Sequence, residues 1–330
     1  MILVTGGTGL VGGHLLYRFR ESAEQITAIY RDKEQLEKTR YIFESYGQGQ
    51  AAFVDQFNWI QAELLDIPSL DRAMQGIQQV YHCAASLKEN HFEVMKAINM
   101  RGTENLINLA LSKGVKKFCH VSSIAALGDP IGQSEVTEED YFNLDGEHTD
   151  YAITKFGAEM EAWRATQENM QVIIVNPGVI LGEGNWQQGS GQLFGRTANG
   201  NLFYTSGGSG FIDVRDVVRC MQWLMENNVK NERFILVSRN LKYKDLLSEI
   251  AKQLKVKPPR ILLPKWLVQL ASAFLKIPDL LGFPRRLSSA TVTSLYSTTS
   301  YSNEKIQQLI PFTLIPLEES IQRISTYYRR

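Results

Sequence analysis

The stretch Met1-Ile2-Leu3-Val4-Thr5-Gly6-Gly7-Thr8-Gly9-Leu10-Val11-Gly12 decides the architecture. An apolar run reaches a glycine turn at once, and residues 10–20 follow with helical spacing. Gly6, Gly9 and Gly12 are separated by two residues each. In a strand–turn–helix unit the first permits a tight turn. The second lets a ligand approach the backbone, and the third lets helix pack on strand. Glycines alone mark many turns, but here strand, triplet and helix arrive in the order such a unit needs. Working outward, short apolar runs recur at 26–30, 59–62, 80–83, 118–122 and 172–176. Helical patterns at 10–20, 33–46, 92–112 and 151–168 separate most of them. Strands joined by helices of that length imply right-handed crossovers and a parallel sheet. The expected fold class is therefore α/β, a doubly wound parallel sheet (Rossmann) with a smaller, mostly helical C-terminal substrate lobe.

The later chain is less regular. A glycine-rich stretch runs from Gly178 to Gly210, followed by a helical pattern at 213–226, a strand at 234–237, and helices at 243–254, 265–275, 304–309 and 317–328. The expected division is 1–176 plus about 213–238 for nucleotide binding, and about 177–212 plus 239–330 for a substrate-binding lobe.

Composition narrows the function classes. With 330 residues, 44% apolar and 21% charged, the chain is ordinary globular protein, neither disordered nor a disulfide scaffold. Lys plus Arg equals Asp plus Glu at 35 each, which gives no broad basic surface for nucleic acid. Cys83, Cys119 and Cys220 are odd in number and lack metal-ligand spacing. They read as buried thiols of a reducing compartment, with no metal expected. The strand begins at Met1 without a signal-peptide pattern. The longest uncharged apolar segment, 266–275, is too short to cross a bilayer. A cytoplasmic protein with no membrane partner is expected.

The turn Thr5-Gly6-Gly7-Thr8-Gly9-Leu10-Val11-Gly12 reads as a cradle for the pyrophosphate of a dinucleotide, with the new helix pointing its amides at the phosphates. After the second strand come Arg31, Asp32 and Lys33, where an acidic residue would favour NAD. The guanidinium and the ammonium suit a 2′-phosphate instead, so NADP is expected with NAD as the alternative. The other reading leaves both cations on a solvated loop. Asp66, with Ile67 beside it, suits an adenine amino group or, equally, a helix N-terminus.

Tyr151 and Lys155 stand four apart at the start of a helical pattern, hence on one face. A free phenol titrates at about 10, and a nearby ammonium stabilises the phenolate. A tyrosine tuned in this way can exchange a proton with a carbonyl or alcohol oxygen. An isolated pair of this kind is usually only an exposed helical contact. Ser122 and Ser123 close the strand at 118–122, and ligands sit beyond the carboxyl ends of such strands, so Ser123 can hold a substrate oxygen beside Tyr151.

These motifs resemble the extended short-chain dehydrogenase/reductases, the NAD-dependent epimerase/dehydratase family. Thr5–Gly12 is similar to the group's TGxxGxxG fingerprint, Tyr151 and Lys155 to its YxxxK pair, and Ser123 falls where it carries a serine. Asn99-Met100-Arg101-Gly102-Thr103-Glu104-Asn105-Leu106 resembles its N-x-x-G-T-x-N-L helix, with further matches at 176–182 and 211–217. The resemblance covers about residues 1–240. It implies that Asn99 joins the catalytic Ser123, Tyr151 and Lys155. It also implies that Cys83, Ala84, Ala85, Val121, Asn176, Pro177, Gly178 and Val179 line the cofactor. Ser86, Leu127 and Gly178 would face substrate with Ser123 and Tyr151. Gly178-Val179-Ile180-Leu181-Gly182 departs from the N-V-Y-G-P of many sugar-nucleotide epimerases. It is nearer the dihydroflavonol-reductase-like and 3β-hydroxysteroid-dehydrogenase-like branches, which implies an NADP(H)-dependent oxidoreductase for a ketone or aldehyde and an alcohol. The competing readings are a nucleotide-sugar epimerase or dehydratase with tightly held NAD, and a non-catalytic dinucleotide sensor or scaffold. The resemblance also implies a homodimer through helices 92–112 and 151–168.

Secondary features read more blandly. The acidic segment 129–150, free of Lys and Arg, is expected to be a solvated loop beside the site. Residues 265–275 are expected to pack within the small lobe rather than touch membrane. His82 reads as core, His148 as a weak candidate for tuning the pocket, and Lys88 and His91 as surface loop.

Overall fold

The computed structural model describes residues 1–87, 92–130, 132–274 and 288–329, apart from the side chains of 271–274. Seven parallel strands form the central sheet: β1 (Ile2–Thr5), β2 (Ile26–Tyr30), β3 (Asn58–Gln61), β4 (Gln79–His82), β5 (Lys117–Val121), β6 (Gln171–Pro177) and, later in the chain, β10 (Glu232–Leu236). Their order is β10-β6-β5-β4-β1-β2-β3, so the direction of winding reverses between β1 and β4. That reversal opens a crevice at the carboxyl ends of β1 and β4. The inner strands are buried almost throughout, as a sheet covered by helices on both faces requires.

One face is covered by α1 (Leu10–Arg18), α2 (Leu36–Glu44) and α8 (Val214–Glu226), which close a core around Leu15, Phe43, Cys119 and Met221. The other carries α3 (Ile67–Ala73), α5 (Gly102–Ser112) and α6 (Asp150–Thr166), around Leu70, Ile107, Phe118 and Ala162. Between α4 (Phe92–Lys96) and α5 the helix widens into one π-turn, Ala97–Arg101. The sequence pattern reads as a single helix through that turn.

The smaller lobe holds strands that the glycine-rich stretch concealed. β7 (Val179–Leu181), β9 (Gly208–Asp213) and β11 (Arg239–Lys242) make a three-stranded sheet, and β8 (Phe203–Tyr204) pairs with β12 (Ile261–Leu262). Helices α7 (Gly191–Ala198), α9 (Tyr243–Leu254) and α13 (Leu317–Tyr328) pack around Phe194, Phe211, Ile250 and Ile321. α10 (Lys265–Phe274), α11 (Ser289–Ser294) and α12 (Glu304–Leu309) complete it. Cys119 and Cys220 are buried, Cys83 partly so, and all three are free thiols. Among the described residues no helix is long and apolar enough to cross a membrane, and no cluster of metal ligands occurs.

Candidate active site

The glycine turn leaves β1 at Thr5 and enters α1 at Leu10. Gly6 has φ +69°, and a Cβ there would lie 2.7 Å from the Ala84 nitrogen. A Cβ on Gly12 would meet the Gly6 carbonyl oxygen at 2.1 Å, so strand and helix touch through backbone alone. At Gly9 a Cβ would meet only the Gly6 oxygen, at 3.2 Å, and the turn is otherwise open there. No carboxylate occupies the first turn of α1, so its free amides suit an anion. This cradle fits a pyrophosphate. Thr5 does not offer its hydroxyl to a ligand. Its Oγ1 meets His82 Nδ1 at 2.7 Å and accepts from the Ala84 amide, tying β1 to β4.

Arg31, Asp32 and Lys33 are exposed just beyond β2. Asp32 accepts from Gln35, whose Oε1 accepts from Thr8 of the turn, and the Arg31 carbonyl accepts from Gln61. Asp66 precedes α3, but its carboxylate makes no cap bond and is exposed beside the half-exposed Ile67. An exposed acceptor next to an exposed aliphatic side chain suits the edge and face of an adenine. Cys83, Ala84, Ala85 and Ser86 follow β4 at the crevice, and burial pushes the Cys83 thiol up to about 12. Lys88 and His91 lie outside the described residues.

β5 ends at Val121, and the next two residues diverge in role. Ser122 points inward and donates to Glu159 at 2.6 Å. Ser123 Oγ accepts from the Ala125 amide at 3.1 Å, capping a short turn. Its hydroxyl hydrogen is left to donate elsewhere. Leu127 packs with Val136, Ile235 and Val237.

The Thr149 side chain caps α6 and sets the register of its first turns. Tyr151, Lys155 and Glu159 follow at intervals of four, one above another. Tyr151 is half-buried. Lys155 is 2% exposed, and its Nζ donates to the Val121 carbonyl at 2.6 Å. Burial lowers its pKa from 10.5 to about 8, with the Glu159 charge opposing the fall. Lys155 is thus locked against the end of β5, two residues before Ser123.

Asn99 and Asn176 hold this corner together. From the π-turn, Asn99 accepts from the Ser86 amide at 2.7 Å and donates to the Ser86 carbonyl and to Thr154 Oγ1. All three contacts are internal, so Asn99 joins the loop after β4 to α6. Asn176 donates to the Ser123 carbonyl at 3.0 Å and to Glu159 at 2.9 Å. Pro177 ends β6, and the chain turns at Gly178, where a Cβ would lie 2.4 Å from the Gly210 oxygen. Val179 opens β7.

Sequence reasoning missed the charged support behind the site. Glu159 is fully buried and pairs with Arg233 of β10 at 3.1 Å. Arg233 also donates to the carbonyls of Glu138 and Asp140. An arginine inside the apolar strand Glu232–Leu236 was the available signal. The acidic segment is accordingly only half a solvated loop. Glu138 and Asp140 are buried, Glu138 accepting from Ile235 N and Asp140 from Thr137 N. His82 is core, between Thr5 and Thr103, and burial lowers its pKa to about 3. His148 stacks on Phe142 at 3.9 Å.

Residues 2–236 match the model of the NAD dependent epimerase/dehydratase family. Sterol demethylase protein B of Methylococcus capsulatus is 28% identical over 295 residues, 86% of this chain and 84% of that protein. Dihydroflavonol 4-reductase of Gerbera hybrida is 25% identical over 280 residues, 80% of this chain and 74% of the relative. Among solved structures, the crystal structure of gox2253 superposes with a TM-score of 0.81 at 25% identity, covering 100% of this chain and 98% of that one.

Proposed function

The chain belongs to the NAD-dependent epimerase/dehydratase family and is an NAD(P)-dependent enzyme of the extended short-chain type, and we propose that it interconverts a ketone or aldehyde with an alcohol using NADP(H). The observation that carries this reading is the buried Lys155, fixed to the end of β5 one turn below Tyr151. When bound, the dinucleotide supplies the hydride donor or acceptor. Tyr151 gives its phenolic proton to the carbonyl oxygen, so that carbon and oxygen together gain the hydrogen of an alcohol. Lys155 favours the phenolate that remains, because its ammonium stands where little water screens it. Ser123 donates its hydroxyl hydrogen to the same oxygen and orients the carbonyl. Asn99 positions the loop after β4 against α6. The turn at 5–12 would hold the pyrophosphate, Asp66 and Ile67 the adenine, and Asn176 and Pro177 would flank the nicotinamide.

The preference for NADP rests on the two exposed cations at Arg31 and Lys33, with the one carboxylate between them, Asp32, engaged by Gln35. Exposed Val94 of α4 and exposed Ile153 and Met160 of α6 support a homodimer through helices 92–112 and 151–168, as the family resemblance implies. The test is to denature the purified protein and analyse released nucleotide, then titrate it with NADPH and NADH. We expect no retained NAD, at least about tenfold tighter binding of NADPH, and NADPH oxidation with members of a carbonyl panel. Retained NAD, or NADH bound as tightly, would support an epimerase or dehydratase and overturn this reading.

A further inference from the structure

Among the described residues, the smaller lobe presents an apolar face that its own packing leaves exposed. The ribbon of β8 and β12 pairs Phe203 with Ile261 and Tyr204 with Leu262, and Pro264 turns the chain directly into α10. Phe203, Ile261, Leu262, Trp266, Leu267 and Leu270 are each between 42% and 61% exposed. Trp266, Leu267 and Leu270 share one side of α10 by their spacing. For the described side chains of 265–270 the expectation that this segment packs inward is therefore corrected: single exposed apolar residues are common on soluble proteins, a cluster of them is not.

Charge says what the face is suited to meet. The whole chain is neutral, but residues 184–212 and 250–303 hold nine Lys or Arg and a single carboxylate, Asp279. Lys255, Lys257, Arg260 and Lys265 are exposed on the segments leading into and flanking the apolar ribbon. No acidic residue intervenes between Glu249 and Asp279. Apolar side chains with a tryptophan, edged by cations, match the acyl boundary and the phosphates of an anionic bilayer. We propose that this face, the β8–β12 ribbon with α10, docks the enzyme onto an anionic lipid surface. α10 is too short to span it and would lie in the interface.

The test uses the full-length protein and flotation with vesicles of equal phosphatidylglycerol and phosphatidylcholine, against vesicles of phosphatidylcholine alone. Wild type should float with the anionic vesicles only, less so at high salt, with a blue shift of tryptophan emission. Trp266→Ser/Leu270→Ser, at exposed positions outside the nucleotide-binding segments, should reduce the bound fraction about tenfold or more while NADPH binding stays unchanged. Lys257→Glu/Arg260→Glu should do the same at low salt, since it replaces two cations edging the face with anions. Absence of flotation, or flotation unaffected by both variants, would overturn the proposal. So would a concentration-dependent dimer that Trp266→Ser/Leu270→Ser abolishes, which would assign the face to a second copy.

Discussion

Lys155 is a charge held where charge is costly. Its folded pKa of about 8 lies below the ordinary 10.5 because burial penalises the ammonium. Between those values the unfolded chain binds more protons, so this group raises stability as pH climbs from about 8 to 10.5 and costs stability below about 8. At about 1.4 kcal/mol per unit, the cost near neutrality is on the order of 3 kcal/mol, reduced by the lost bond to Val121 when the lysine is removed. Lys155→Met should therefore melt higher than wild type at pH 7, with an advantage that shrinks toward pH 10. Turnover should vanish in the variant, and in wild type should fall as pH rises through about 8. A melting difference constant across that range would remove the buried ammonium from the account. The Tyr–Lys spacing was legible in the sequence. Glu159 was not, because a glutamate four residues further along a helix looks like any solvated charge until Arg233 is brought to it by β10.

At the scale of elements, the strand–turn–helix of residues 2–18 was the easiest to read, since its glycines answer three different steric demands. Gly12→Ala places a methyl 2.1 Å from the backbone oxygen of Gly6, which cannot swing aside as a side chain can. The turn must open, and dinucleotide affinity should drop about tenfold or more with the far-ultraviolet circular dichroism unchanged. Unaltered affinity, measured by quenching of intrinsic fluorescence, would mean that the turn is not the cradle. The π-turn at Ala97–Arg101 was invisible to periodicity, because one extra residue in a helix barely disturbs its apolar face. β7, β9 and β11 were hidden for another reason. Gly178, Gly208 and Gly210 lie where strands approach one another too closely for side chains, and those same glycines read as loop.

The whole molecule is held across its parts by buried polar contacts. His14 of α1 meets the Glu183 carbonyl at 2.9 Å, and Glu183 pairs with Arg215 of α8 and Arg323 of α13. Arg323 also binds Asp213, so the last helix is tied to the end of β9. No short motif announces such a cluster, since its members come from four distant segments. It makes the fold sensitive to acid. Burial lowers the pKa of His14 to about 4, that of His82 to about 3, and that of His120 well below 6.5. Each favours the folded state above about 6.5, and that contribution is lost as pH falls toward the folded value. His14 and His82 together should erode stability by about 3 kcal/mol per pH unit between roughly pH 6 and 4, with His120 acting in the same direction. Urea melts across that range check the slope, and His14→Phe should flatten it; a pH-independent midpoint would contradict the burial of these histidines.

The proposed reaction needs a phenol, an ammonium and a hydroxyl to meet at the carboxyl ends of β5 and β6. Single-turnover NADPH oxidation by Tyr151→Phe, with NADPH affinity measured on the same sample, tests it most directly. The prediction is a loss of hydride transfer to a carbonyl substrate by about a hundredfold to ten-thousandfold with affinity retained. Transfer at the wild-type rate would contradict it.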